Sequence, residues 1–76
     1  MASDISWDDV IKKEAEGLND ADFGEVQEVT AEHVITKKGV ATKDIFYLPM
    51  DKVVRFDGSK LHFNITKEEM NRYKRE

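Results

Sequence analysis

The stretch Asp44–Ile65, DIFYLPMDKVVRFDGSKLHFNI, constrains this chain more than any other. Pro49 cannot donate to a strand ladder, so it ends the apolar run Ile45–Leu48. Asp57-Gly58 suits a two-residue primed turn with positive φ, which predicts a hairpin joining residues 53–56 to 60–65. In the last run Leu61, Phe63 and Ile65 alternate with His62 and Asn64. That period of two turns the first three inward and the other two outward. Ile45 and Tyr47 alternate with Phe46 and Leu48, so this strand is apolar on both faces. Met50–Lys52 makes a short turn or one turn of 3₁₀ helix.

The rest of the chain is fitted around that region. Its 76 residues make one small domain, 1–76, with a limited core. Without cysteine, no disulfide or thiolate zinc site can supplement that core, and the composition fits a cytoplasmic protein. No apolar run approaches the roughly 18–20 residues of a membrane span, and the N-terminus lacks a signal peptide's basic and apolar blocks. No membrane insertion is therefore expected. Sixteen acidic and twelve basic side chains leave a net charge of −4, which favours solubility and disfavours non-specific nucleic-acid binding.

Residues 1–5 are expected to be flexible. Ser6 is placed to cap a short helix, with Asp8 and Asp9 in its first turn. Trp7, Val10 and Ile11 share one helical face, and Trp7 covers an end of the core. Lys13–Leu18 is a charged, weak edge strand. Asn19–Asp22 makes a polar turn, and Phe23–Val29 a strand with a bulge or close contact at Gly24. Val26 and Val29 point to opposite faces unless a further bulge intervenes. Glu32–Lys37 is the next strand, Lys38-Gly39 closes it, and residues 40–43 carry no assignment. Thr66 and Glu69 have capping-box spacing, with Ile65 and Met70 as a hydrophobic staple. A helix over 67–74 then packs Met70 and Tyr73 inward and sets Lys74 and Arg75 near its end. The sum is a mainly β chain: five to six short strands forming a small barrel over residues 12–66, with a short helix at each terminus.

The run Asp20-Ala21-Asp22-Phe23-Gly24-Glu25-Val26 resembles the strand–turn–strand that opens PRC-barrel domains. Phe46-Tyr47-Leu48-Pro49 with Val53 or Val54 resembles that family's strand–proline–strand stretch, and Asp57-Gly58 with Leu61 its last hairpin. The likeness covers Lys12–Thr66. Ala21 departs from it, standing where the family has a turn glycine. The resemblance implies a PRC-like β-barrel, a prokaryotic stand-alone member, and a role in interaction or assembly with no catalytic motif. The matching residues Phe23, Gly24, Val26, Leu48, Pro49 and Val53 are structural ones.

Chemistry finds little purchase. His33 and His62 lie on separate strands, both outward by alternation, and a metal would need further ligands such as Glu32. Asp20-x-Asp22 opens like a calcium loop, but Gly24 and Ala31 stand where oxygen ligands belong. Ser3, Ser6 and Ser59 lie in a tail, a cap and a turn, none in a nucleophile elbow. No carboxylate pair is marked as buried, and the glycines are too scattered to cradle a phosphate.

Two function classes lead, with an enzyme of unnamed reaction third. The first is a non-enzymatic adaptor that binds a protein partner or forms a homodimer, with Phe46, Leu48 and Met50 as the partner surface and no cofactor. The second is an RNA- or ribosome-associated factor that uses Lys37, Lys38, Lys43 and Arg72, with Lys74 and Arg75 nearby and Phe46 or Tyr47 for stacking. The acidic net charge and the lack of an aromatic ribonucleoprotein motif weigh against the second.

Overall fold

A computed structural model describes residues 5–39 and 43–75. The chain is mainly β, with strands β1 (Glu14–Glu16), β2 (Asp22–Val29), β3 (His33–Lys38), β4 (Asp44–Pro49), β5 (Val53–Phe56), β6 (Lys60–Phe63) and β7 (Lys74–Arg75). They form one seven-stranded sheet in the order β5-β6-β1-β2-β3-β4-β7. Every neighbouring pair is antiparallel except β1 with β6. β5 and β7 are the edges, and among the described residues no ladder joins them to close the sheet.

One face of this sheet carries the core. Phe23 lies at its centre, edge-on to Phe46 at 5.6 Å and to Phe63 at 6.1 Å between ring centroids. Ala15, Val26, Val34, Leu48, Leu61 and Ile65 fill the space around these rings, and all are buried. Trp7 packs against this cluster from the single helical turn α1 (Trp7–Val10), as its expected covering role requires. The alternation of the last strand holds: Leu61, Phe63 and Ile65 are buried, while Asn64 is exposed.

The charged segment 13–18 departs from its expected edge position. Its strand is only Glu14–Glu16, and it sits mid-sheet between β2 and β6. Ala15 is the small inward residue that lets it fit there, directly opposite Leu61 of β6 and Gly24 of β2. This parallel pairing joins the two halves of the chain.

Turns and bulges set the register. Ala21 donates its N–H to the Leu18 carbonyl at 3.1 Å, and the residues between, Asn19 (φ 57°) and Asp20 (φ 63°), are both left-handed. This is the backbone of a primed hairpin turn, and asparagine and aspartate tolerate it. Ala21 itself has φ −64°, so its departure from the family glycine needs no strained backbone. At Gly24, φ is 89°, and a methyl group there would collide with the Lys37 carbonyl. The expected bulge is present, with a register slip against β1 beside it. A second slip, between Val26 and Glu28, brings both Val26 and Val29 against the core.

Other local expectations shift. Among the residues of the 57–60 turn only Gly58 has positive φ, 98°, and Asp57 donates its N–H to the Lys60 carbonyl at 3.2 Å. The turn is thus centred on Gly58-Ser59, one residue later than an Asp-Gly turn. Ser6 makes no side-chain cap; its carbonyl accepts the Asp9 N–H instead. The capping box does form: Thr66 N–H donates to Glu69 Oε1 at 3.0 Å, and Glu69 N–H to Thr66 Oγ1 at 3.2 Å. The Thr66 N–H, together with the Thr66 hydroxyl that donates to the same Oε1 at 3.1 Å, holds the Glu69 carboxyl below its ordinary pKa. No α-helix over 67–74 follows, only a 3₁₀ turn, Met70–Tyr73, and then β7. Of the unassigned stretch 40–43, residues 40–42 lie outside the described residues.

Candidate interaction surface

The two-sided apolar strand β4 and its neighbour β3 build the surface of interest. Val34, Thr36, Phe46 and Leu48 point into the core. Strand alternation therefore turns their chain neighbours outward. The outward residues face one another across the ladder as His33 with Pro49, Ile35 with Tyr47, and Lys37 with Ile45. Ile35, Ile45 and Tyr47 are half-buried, yet none packs against the core cluster. Ile35 stands directly opposite Tyr47, and Ile45 lies two residues before Tyr47 on the same side of β4.

Tyr47 is the centre of this patch. The His33 ring lies edge-on to it at 5.8 Å. From β7, Arg75 stands opposite Ile45 and places its guanidinium 5.5 Å from the Tyr47 ring centroid. That is a cation–π distance. On the other flank, β2 sets Glu25 opposite Lys37 and Glu28 opposite Ile35, and Glu14 of β1 stands opposite Glu25. Across the strands the face is thus acidic on β1 and β2 and basic at Arg75 on β7, with the apolar side chains and Lys37 between.

The expected partner surface is corrected by this register. Phe46 is 2% exposed and Leu48 is 0% exposed, so both belong to the core. Met50 is half-buried and also packs against the core. The outward apolar residues are the other parity of the same strand, Ile45 and Tyr47. A cue lay in the sequence: where a strand is apolar on both faces, tyrosine marks the side where its hydroxyl can reach water. Ile35 and Arg75 carried no such cue, because the ladder alone brings them beside Tyr47.

The basic candidates converge in part. Lys37 and Lys38 end β3, and Lys38 stands opposite Asp44 at the start of β4, next to exposed Lys43. Arg72 is exposed in the 3₁₀ turn that leads into β7, and Lys74 pairs with Asp44 at 3.3 Å. Buried Phe46 is withdrawn as a stacking platform, while Tyr47 faces outward.

A different arrangement occupies the β6–β1 part of the outer face. His62 Nε2 donates to Asp57 Oδ2 at 2.8 Å, and its Nδ1 lies 3.7 Å from Glu16. Lys60 lies 3.6 Å from Glu16, and Arg55 4.0 Å from Asp57. Asp57 Oδ1 accepts the N–H groups of Ser59 and Lys60 at 2.8 and 2.7 Å. The His62 bond first, and then these amides, hold the Asp57 carboxyl well below the usual carboxylate range. His62 is thus outward as expected but half-buried inside an ion-pair network. Among the described residues no group of three or more histidine, aspartate or glutamate side chains is arranged to hold a metal ion. No described helix is long and apolar enough to cross a membrane.

Comparison with family models, curated proteins and solved structures finds no match to this chain.

Proposed function

We propose that this chain is a non-enzymatic interaction or assembly module, a PRC-like small barrel that binds a protein partner through the outer face of β3 and β4. One observation carries the reading: Ile35, Ile45 and Tyr47 gather on the outer face without packing against the core. Apolar side chains held together on a surface mark interaction sites more often than scattered ones do. The stretches that resemble PRC-barrel motifs are in keeping with the same role. The test is capture of partners from native extract by the tagged chain and by its Ile45→Lys variant. A protein held by the first and lost by the folded second supports the reading. Identical capture by both contradicts it.

A second reading, RNA association, is favoured by Arg75, whose guanidinium lies 5.5 Å from the outward Tyr47 ring, with Lys37 on the same face opposite Ile45. Phosphate contacts release counterions, so binding to single-stranded RNA would strengthen steeply as salt falls. A flat salt response removes this reading.

A further inference from the structure

We infer that the partner of the β3–β4 outer face is a second copy of this chain, docked about a twofold axis that runs along the strands between β3 and β4. This rests on the interaction reading above and gives it an occupant.

The outer face complements itself in charge under a twofold axis. One row across the face reads Glu14, Glu25, Lys37, Ile45, Arg75 from β1 to β7. The next row contains Glu28, Ile35 and Tyr47. Two sheets stack face to face about 10 Å apart with their strands nearly aligned. A twofold axis along the strands exchanges β3 with β4 and β2 with β7. Ile35 of each copy then lies over Tyr47 of the other, and Ile45 lies over the aliphatic stem of Lys37. Glu25 of each copy meets Arg75 of the other, once on each side. An axis across the strands would instead lay β2 over β2 and set acid against acid. An isologous interface requires the patch to complement itself, and only the first arrangement does so.

The β5 edge is a poorer docking site. A register slip between Val53 and Arg55 interrupts its pairing, and Arg55 adds a charge. Natural sheets blunt their edges in these ways.

The test is sedimentation velocity over a concentration series, with circular dichroism to confirm folding. The wild-type chain is expected to dimerise as its concentration rises. Glu25→Arg alone sets Arg against Arg twice in the dimer, and Arg75→Glu alone sets Glu against Glu twice. Each should weaken association by about tenfold. An equimolar mixture of the two variants restores both contacts and should dimerise like the wild type. Ile35→Asp should weaken the dimer by about a hundredfold.

A wild-type chain that stays monomeric overturns the inference, as does a dimer indifferent to these charge reversals. If that monomer still captures a protein partner and loses it on Ile45→Lys, the interaction reading stands without self-association. If capture is also unaffected, both fail.

Discussion

The outer face of the sheet carries two regions built on the same backbone pattern and finished differently. Over β6 and β1 it is charged: Lys60, His62, Glu16 and Asp57 satisfy one another in a network of ion pairs and turn amides. Over β3 and β4 it is apolar, with Ile35, Ile45 and Tyr47 bordered by His33, Lys37 and Arg75. A sheet with one buried face ordinarily alternates apolar inward and polar outward. The β6–β1 region obeys that rule, and the β3–β4 region breaks it. Folding alone is served by the inner residues in both. On the proposed interaction reading the outer isoleucines and Tyr47 serve contact with another molecule, whereas the ion-pair network holds its own turn and strand ends.

A substitution on the inner face of β4 sharpens this contrast most. Leu48→Ala removes a fully buried side chain from the inner face. It should cost about 2–5 kcal/mol in chemical denaturation. A domain of this size commonly has only about 3–5 kcal/mol in hand, so the variant should be largely unfolded. A well-folded, cooperative Leu48→Ala would show that the two faces of β4 have been assigned the wrong way round.

A smaller effect of opposite sign is expected at Thr36. Its side chain is buried on the inner face of β3, and its hydroxyl finds no hydrogen-bond partner among the described residues. Thr36→Val keeps the shape and removes the unsatisfied group, and should raise stability by about 1 kcal/mol. A loss of stability would reveal a partner for that hydroxyl.

The charged region yields the smallest effect, read from the shape of a pH profile. Asp57 is held below its ordinary pKa in the folded chain, so its contribution is complete above the unfolded carboxylate value of about 3.9. That contribution is lost as pH falls below this value and through the folded one. Asp57→Asn keeps an acceptor for the turn amides but removes the titrating charge. Its melting temperature should fall less steeply than the wild type's below about pH 4. Parallel acid limbs in the two proteins would contradict the network's role.

How much of this was legible in the sequence follows from how local each feature is. The alternation of Leu61, Phe63 and Ile65 and the reciprocal Thr66–Glu69 cap were readable, because each is decided within a few residues. That both faces of Ile45–Leu48 are apolar was readable too, but which face turns inward was not. It depends on pairing with β3, whose bulged ladder with β2 shifts the register at Gln27. Glu14–Glu16 looked like an edge because its charges are conspicuous. Its central place depends on a parallel partner, β6, far along the chain. The last strand was hidden inside an expected helix. Lys74 and Arg75 suit a helix end and a strand equally well, and only their pairing with Ile45 and Phe46 decides between them.

The central claim is that the outer apolar residues of β3 and β4 do not hold the fold together. The most direct measurement is the unfolding free energy of the double variant Ile35→Thr, Ile45→Thr in dilute solution, where association is absent. Threonine keeps the β-branched shape strands favour while removing apolar surface. A loss of less than about 1 kcal/mol is expected, the scale of lost cross-strand pairs. A loss of several kcal/mol, comparable with that of Leu48→Ala, would place these side chains in the folding core and contradict it.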